Sequence, residues 1–189
     1  MEKYLESSEY IDWECPEITK LAEVLAKDEE HETAKSCFEW VRDNIKHSSD
    51  YKLNPVTCRA SDVLTHGTGY CYAKSHLLAA LLRANNIPAG LCYQRLSISE
   101  NGAPYCLHGL NAIHLKDVGW YRVDARGNKK GVNAQFVPPH EKLAFPIVDL
   151  NEADFKEIWH VPLPLIVDVL EKYTTYHEVL EHLPDIEIV

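Results

Sequence analysis

The sequence predicts an α+β protein built around one hydrophobic core. Segments with apolar residues at helical spacing fill the first half of the chain. Three extended segments follow them, and two of these flank a hairpin turn signal. Helices that precede a run of neighbouring strands are typical of the α+β class. The chain has 189 residues, of which 46% are hydrophobic, so one domain with a sizeable core is expected.

The first half predicts two amphipathic helices and a long connection. Residues 17–27 carry Ile, Leu and Ala at helical spacing, and Pro16 suits a first helical turn. Residues 32–46 repeat the pattern. Between 47 and 70, frequent Pro, Asn, Gly and Ser predict a loop with one short turn near 60–64.

The middle of the chain predicts a third helix and then a sheet. Residues 71–85 form the helix, and its expected buried stripe consists of Leu77, Leu78, Leu81 and Leu82. Strands are predicted at 89–98, 108–115 and 120–126. The last two flank the sequence Lys-Asp-Val-Gly at 116–119, which suits a hairpin turn.

The C-terminal part differs in composition from the rest. Proline becomes frequent after residue 137, and a final helical stretch is predicted at roughly 163–182. We therefore expect a single domain over residues 1–189, with a core at about 30–137 and a C-terminal helical extension at about 138–189.

The charge balance argues against two classes of partner. The chain carries 29 acidic and 19 basic residues, which gives a formal net charge of -10. An acidic protein has no general attraction for nucleic-acid phosphates or anionic membranes, so neither is expected as a partner. The sequence has no apolar run long enough to span a bilayer, and its N-terminus has no apolar signal segment. A cytoplasmic location with six free cysteines is therefore expected.

Cys71 lies between a glycine-containing turn and the third helix, in the segment GTGYCYAKSHLL. Unpaired N–H groups and the dipole at the start of a helix favour an anion there, which would lower the pKa of the thiol. Gly67 and Gly69 allow a tight entry and a close approach of another segment. Free cysteine is also among the most buried residue types, so this segment alone leaves packing and nucleophilic roles open.

A nucleophilic cysteine needs a base, and the base needs an orienting group. His108 and His114 lie on one face of a predicted strand, roughly 20 Å apart, so they cannot both serve one site. His108, where the chain enters the strand, is the better candidate, whereas His114 suits a surface or structural role. Asp124 ends the next strand, and a three-residue loop with Gly119 in the left-handed conformation would place it on the face of His108.

Three motifs in this order resemble those of the transglutaminase-like superfamily, whose members have a papain-like cysteine fold. The cysteine motif of that family resembles GTGYCYAKSHLLAALLRANNIPAG, and its histidine and aspartate motifs resemble HGLNAIHLKDVGWYRVDARGN. The helix end before the cysteine motif resembles VRDNIKHSSDY. The resemblance covers roughly residues 30–130 and is to a bacterial-type single-domain member. It implies Cys71 as nucleophile, His108 as general base and Asp124 as the residue that orients the imidazole.

The chain also departs from the family pattern. Leu110 and Ala112 stand where an aromatic and an acidic residue are common, and the ARGN that follows Asp124 is unlike most members. These departures concern the substrate and the outcome of the reaction. The backbone N–H of Cys71 can supply one donor to an oxyanion, but no Gln or Trp upstream of it suggests the second donor.

Tyr70 and Arg126 are the expected substrate-binding residues. Tyr70 flanks the predicted nucleophile and suits either the wall of a cleft or simple packing. Arg126 follows the end of the strand and suits either a substrate carboxylate or an ion pair within the protein. Cys106 lies two residues before the predicted base, and a zinc site there is an alternative. No second ligand pair has a recognisable spacing, so no metal or organic cofactor is expected.

The resemblance implies a cysteine-dependent acyl-transfer enzyme that acts on amide or peptide bonds through a thioester. The expected substrate is a peptide, a protein or a small amide. Water as the acceptor gives a peptidase or an amidase, whereas an amine acceptor gives a transglutaminase. The alternatives are a catalytically inactive transglutaminase-like domain that serves as a binding or scaffold module, and a zinc-binding structural domain.

Overall fold

The computed structural model describes residues 1–99 and 102–187, and it confirms the α+β class. The α-helices of the described residues are α1 (Pro16–Leu25), α2 (Glu30–Asn44), α3 (Ser48–Tyr51), α4 (Ala60–His66), α5 (Cys71–Ala84), α6 (Pro164–Lys172) and α7 (Tyr176–Glu181). The strands are β1 (Lys46–His47), β2 (Thr68–Gly69), β3 (Ala89–Ser99), β4 (Gly102–Leu115), β5 (Gly119–Val123), β6 (Gln135–Val137), β7 (His140–Lys142) and β8 (Ala153–Asp154). No helix among these described residues is long and apolar enough to cross a membrane.

Helix α5 is the centre of the molecule. Strands β3 and β4 pack on one side of it, and α1, α2 and α4 pack on the other. Every residue from 71 to 83 is therefore buried, and the expected leucine stripe was too narrow a prediction. The polar residues Lys74, His76 and Arg83 are enclosed along with the leucines. Two layers of partners, which no local pattern reveals, explain this difference.

The segment between 47 and 70 is more ordered than the expected loop. It contains α3 and α4, and the two-residue strands β1 and β2 pair in parallel, with His47 opposite Gly69. The Thr68 hydroxyl donates to the Lys46 carbonyl over 3.0 Å, and Thr57 donates to the Thr68 carbonyl over 2.9 Å. Elements this short show no periodicity in the sequence, so side-chain hydrogen bonds define them.

The main sheet has the strand order β5-β4-β3-β8, and all its pairs are antiparallel. Strand β4 begins at Gly102, well before the expected start at residue 108. His108 therefore lies within the strand, opposite Gln94, and the prediction that it marks the strand entrance was wrong. The long pairing of β4 with β3 extends the strand beyond the range that the sequence pattern indicates.

The hairpin between β4 and β5 has the expected parity. Leu115 pairs with Gly119 across a three-residue loop, and Gly119 has a φ of 80°. A left-handed residue at this point suits glycine, which has no Cβ to clash. Because Asn111 pairs with Val123, Asp124 falls opposite Leu110 and on the same face as His108.

The C-terminal part is not a single helical stretch. A second helix, α7, starts directly after Thr175, because the Thr175 hydroxyl accepts from the Glu178 N–H and the Glu178 carboxylate accepts from the Thr175 N–H. Strand β8 extends the main sheet beside β3, and the Leu107 N–H donates to the Pro184 carbonyl over 2.7 Å. The predicted helical extension is therefore also part of the sheet layer.

Candidate active site

Cys71 is the first residue of α5 and follows Tyr70, whose extended backbone marks the helix boundary. Its side chain lies at the wall of a cavity and is nearly buried, with 7% of the residue exposed. Within the part of the chain that the structure describes, its backbone N–H makes no hydrogen bond. A free N–H at the start of a long helix is a ready donor for an anion in the cavity.

Gly109 lets the start of α5 approach strand β4 closely. A Cβ at this position would lie 2.9 Å from Tyr72 Cδ1 and 3.1 Å from Tyr72 Cα. Both distances are shorter than ordinary van der Waals contact, so the space at residue 109 admits only a glycine. The Gly109 N–H instead donates to Cys71 Sγ over 3.4 Å, so the thiol lies against the strand that carries His108.

The structure places His108 beside Asp124. His108 Nε2 donates to Asp124 Oδ2 over 2.7 Å, and the aspartate is fully buried. Asp124 also accepts from the Ala144 N–H over 3.2 Å and from the Arg126 N–H over 3.1 Å. These bonds fix the carboxylate and, through it, the imidazole. With Nε2 bound to Asp124, Nδ1 is the nitrogen left for Cys71.

The charges at this site favour an imidazolium. Burial alone would lower the pKa of His108, but the Asp124 charge and the neighbouring Cys71 outweigh it and raise the pKa to about 10. Burial would raise the pKa of Asp124, yet His108 and the two backbone donors lower it. At neutral pH the pair is therefore an ion pair, with the positive imidazole adjacent to the thiol.

A cavity of about 560 Å³ opens beside Cys71 and His108. Most of its wall is apolar, and the aliphatic and aromatic residues that line it are Tyr70, Tyr72, Leu96, Ile98, Leu107, Phe145, Pro146, Val148, Leu180 and Leu183. Phe145 contacts the His108 ring edge to face, with 5.1 Å between ring centroids. Apolar walls exclude water and strengthen the electrostatic interactions at the thiol.

The two residues expected to bind substrate both line this cavity. The Tyr70 hydroxyl donates to the Tyr176 carbonyl, which ties the residue to α7. Both terminal nitrogens of Arg126 donate to Asp50, over 2.7 and 3.0 Å. Burial opposes ionisation of Asp50, but hydrogen bonds from Arg126 and Lys129 lower its pKa to about 2. Of the two roles expected for Arg126, a substrate carboxylate or an ion pair within the protein, the structure shows the ion pair.

The other cysteines differ from Cys71 in position. Burial raises the pKa of Cys37, Cys58, Cys92 and Cys106 to about 12 in each case. A hydrogen bond to Glu17 raises the pKa of Cys15, which is half-buried. Cys106 lines the same cavity as Cys71, and all six cysteines are free thiols. Over residues 1–99 and 102–187, no cluster of three or more His, Cys, Asp or Glu side chains could hold a metal ion.

Two buried residues at the site were missed by the sequence analysis. His47, on β1, lines the cavity and contacts the Tyr70 ring at a centroid distance of 5.4 Å. Lys74 is fully buried and donates to carbonyls at the end of α2, those of Arg42 and Ile45. Burial lowers its pKa to about 7. The only sequence signal for His47 was its place in VRDNIKHSSDY, before the cysteine motif.

The structure is similar to solved structures of other proteins. A Cytophaga hutchinsonii protein provisionally described as a cysteine protease is 22% identical, with a TM-score of 0.51 over 65% of this chain and 40% of its own. The periplasmic domain of TgpA from Pseudomonas aeruginosa is 21% identical, with a TM-score of 0.49 over 65% of this chain and 45% of its own. This chain thus spans less than half the length of either protein. Comparison with curated proteins gives no sequence match.

The family assignment follows from the sequence model and agrees with the geometry. Residues 19–125, more than half of the chain, match the model of the transglutaminase-like superfamily. The matched range begins within α1 and ends just after Asp124, so it contains Cys71, His108 and Asp124. The chain therefore belongs to the transglutaminase-like superfamily.

Proposed function

We propose that this protein is a cysteine-dependent acyl-transfer enzyme that acts on amide or peptide bonds. One observation carries the proposal. Cys71 lies at the start of α5 beside His108, both residues line one largely apolar cavity, and His108 is bonded to Asp124, which is fully buried behind it. A thiol, a base and a group that orients the base are the requirements of nucleophilic catalysis by cysteine. No metal or organic cofactor takes part in this chemistry.

The first half of the reaction forms a thioester. The Cys71 sulfur attacks as a thiolate, its proton being held by His108, and adds to the carbonyl carbon of an amide while the C=O electron pair moves to oxygen to give an oxyanion. The proton held by His108 passes to the amide nitrogen as the C–N bond breaks. An amine leaves, and the acyl group remains on Cys71. Asp124 stabilises the imidazolium at the start of this step.

The second half releases the acyl group. His108, now neutral, takes a proton from the acceptor as that acceptor attacks the thioester carbonyl. Collapse of the second oxyanion breaks the C–S bond and restores the charged pair of Cys71 and His108. Water as acceptor gives an acid and makes the enzyme a peptidase or amidase, whereas a primary amine gives a new amide and makes it a transglutaminase.

The apolar wall supports a substrate with an apolar group near the reacting bond. Leu96, Ile98, Leu180 and Leu183 all line the cavity. Burial of an aliphatic side chain against them contributes about 1.5–3 kcal/mol of binding. Peptides, proteins and small amides that carry such a group are the proposed substrates.

The reactivity of the thiols tests the proposal. The protein is treated with iodoacetamide at pH 6, and the modified residues are mapped over time by mass spectrometry. Cys71 should react first, and His108→Ala should lose most of that reactivity because the imidazolium is gone. Cys106→Ser is the matched control and should leave the reactivity of Cys71 unchanged. Cys106 lines the same cavity, but burial raises its pKa to about 12. If Cys71 reacts no faster than Cys37, the enzyme proposal fails and a binding or scaffold role remains.

A product assay then identifies the acceptor. A library of peptide amides is incubated with the protein, with and without a primary amine, and the products are identified by mass spectrometry. Release of the free acid identifies a hydrolase, and an amine adduct identifies a transglutaminase. Cys71→Ser should abolish both products. Persistence of either product in that variant would contradict the proposed nucleophile.

A further inference from the structure

We propose that His47 supplies the second hydrogen-bond donor to the oxyanion, through Nε2, with Ser49 as the residue that fixes its tautomer. The inference rests on the proposed acyl-transfer function and identifies a further catalytic residue for it. The backbone N–H of Cys71 is the first donor, because it is unpaired within the described residues and belongs to a residue that lines the cavity at the start of α5. With a single donor, the negative oxygen accepts only one hydrogen bond. Loss of one oxyanion donor typically slows a reaction about 100–1,000-fold.

The backbone holds His47 close to the nucleophile. The parallel pair of β1 and β2 places His47 opposite Gly69, two residues before Cys71 along the chain. The strand pair is fixed in turn, because Ser48 and Thr68 share a hydrogen bond of 3.1 Å between their hydroxyls. His47 lines the same cavity as Cys71 and His108 and is itself nearly buried. A rigid side chain at this position can meet the oxygen of a carbonyl bound at Cys71.

The ring of His47 has one nitrogen in use and one available. Nδ1 lies 3.1 Å from the Ser49 hydroxyl, whereas Nε2 makes no hydrogen bond with the described residues. Tyr70 contacts the ring edge to face at a centroid distance of 5.4 Å, which holds its plane. When the Ser49 hydroxyl donates to Nδ1, the single proton of a neutral imidazole lies on Nε2, where it can be donated to an oxyanion.

Burial, together with the surrounding charges, keeps this second histidine neutral. Burial lowers the pKa of His47 well below its ordinary value, and the positive charges of Arg126, Lys74 and His108 lower it further, against the opposing charge of Asp50. His47 therefore contrasts with His108, whose pKa is raised. One histidine of the cavity carries a proton for transfer, and the other is a neutral donor with a fixed hydrogen.

Two reactions of the same thiol separate this role from a general effect on Cys71. Acetylation by 4-nitrophenyl acetate passes through an oxyanion, because the sulfur adds to the carbonyl before the C–O bond breaks and 4-nitrophenolate leaves. Alkylation by iodoacetamide displaces iodide from carbon and forms no oxyanion. Loss of an oxyanion donor should therefore slow the first reaction and leave the second unchanged.

The experiment measures both rates at pH 7 in the wild type, in His47→Phe, in His47→Gln and in Ser49→Ala. His47→Phe should acetylate about 100-fold more slowly, as expected for loss of one donor, while its alkylation rate stays within about twofold. His47→Gln, which keeps an N–H donor, should recover to within about tenfold of the wild type. Ser49→Ala should show a smaller loss of acetylation and normal alkylation, because the tautomer is no longer fixed.

His66→Phe is the matched control, since His66 is exposed at the end of α4 and does not line the cavity. Both of its rates should equal those of the wild type. The inference is overturned if His47→Phe acetylates at a rate within about threefold of wild type, or if acetylation and alkylation fall by the same factor. Failure of the wild-type Cys71 to alkylate would instead refute the proposed function, so the two failures are distinguishable.

Discussion

At the scale of single residues, Asp124 sets the charge state of the site. It is fully buried, and its carboxylate accepts from the His108 ring and from two backbone N–H groups. A buried carboxylate without partners would take up a proton, but these donors lower its pKa. The negative charge then raises the pKa of His108 to about 10. The ion pair, and so the proton that the proposed reaction would pass to a leaving amine, depends on this one side chain.

Asp124→Asn should reduce stability in a way that depends on pH. The pKa of His108 is raised above its ordinary value of about 6.5, so the stabilisation is complete below that pH. It is lost as pH rises from about 6.5 to about 10, where folded His108 deprotonates. The free energy of unfolding of the variant should therefore be about 3 kcal/mol lower than that of the wild type at pH 6. The difference between the two proteins should narrow toward pH 10.

Urea denaturation at several pH values measures this difference. Asp117→Asn is the control, because Asp117 is an exposed carboxylate in the hairpin loop between β4 and β5. Its difference from the wild type should be small and nearly constant with pH. A difference for Asp124→Asn that stays constant between pH 6 and pH 10 would show that His108 and Asp124 are not a charged pair.

At the scale of secondary-structure elements, the site depends on the contact between α5 and β4. The helix is enclosed on both sides by other elements, so its first turn has little freedom to move. Gly109 is where the two elements meet, and the backbone of Tyr72 occupies the space that a side chain would need. The position of the thiol relative to His108 is therefore a property of the packing between helix and strand.

Gly109→Ala should separate the thiol from the imidazole. The new Cβ would lie 3.1 Å from Tyr72 Cα, and a backbone atom in a buried helix cannot turn aside. We expect a loss of about 1–3 kcal/mol of stability and a clear fall in the alkylation rate of Cys71 at pH 6. Urea denaturation and mass spectrometry of the alkylated protein measure the two effects.

Gly90→Ala provides a matched comparison on the neighbouring strand. A Cβ there would lie 2.3 Å from Ile158 Cγ2, away from the contact between α5 and β4. This variant should also lose stability but keep the reactivity of Cys71. If both variants keep normal reactivity, the close approach at Gly109 is not what positions the thiol.

Helix α5 and the hairpin after it could be predicted from the sequence, whereas the residues packed around the helix could not. The start of α5 at Cys71 and the odd loop before Gly119 could be predicted, because helix starts and hairpin parity follow from local chemistry. The burial of Lys74 could not, since it depends on carbonyls at the end of α2, about 30 residues away. His47 was missed for a similar reason, because a strand of two residues leaves no periodic pattern.

At the scale of the whole molecule, the C-terminal segment closes one side of the site. Leu180 and Leu183 form part of the cavity wall, and the Pro184 carbonyl accepts from the Leu107 N–H on β4. Asp185 then forms a bidentate ion pair with Arg95, with N–O distances of 2.7 and 2.6 Å. Residues far apart in sequence thus shape the cavity beside the thiol, outside the range that matches the family model.

Asp185→Ala should loosen this segment without altering the thiol itself. Arg95 loses its carboxylate partner, so the bond between Leu107 and Pro184 should open more often. Hydrogen exchange followed by NMR should show faster exchange of the Leu107 amide and unchanged exchange of Ile113, which lies further along β4. Alkylation of Cys71 by a bulky maleimide should accelerate, because the wall formed by α7 restricts large reagents, whereas the small reagent iodoacetamide should react as before.

Arg59→Ala is the control for this prediction, because it removes an ion pair that is exposed on both sides. Arg59 and Glu9 lie 2.7 Å apart, and roughly half of each side chain is accessible to water. Exposed pairs of this kind contribute little to stability, so neither the exchange of Leu107 nor the maleimide rate should change. If Asp185→Ala behaves in the same way as Arg59→Ala, the pair of Arg95 and Asp185 does not hold the cavity wall. The position of α7 would then depend on the packing of Leu180, within the helix, and of Leu183, which follows it, and Leu183→Ala would be the variant that opens the cavity.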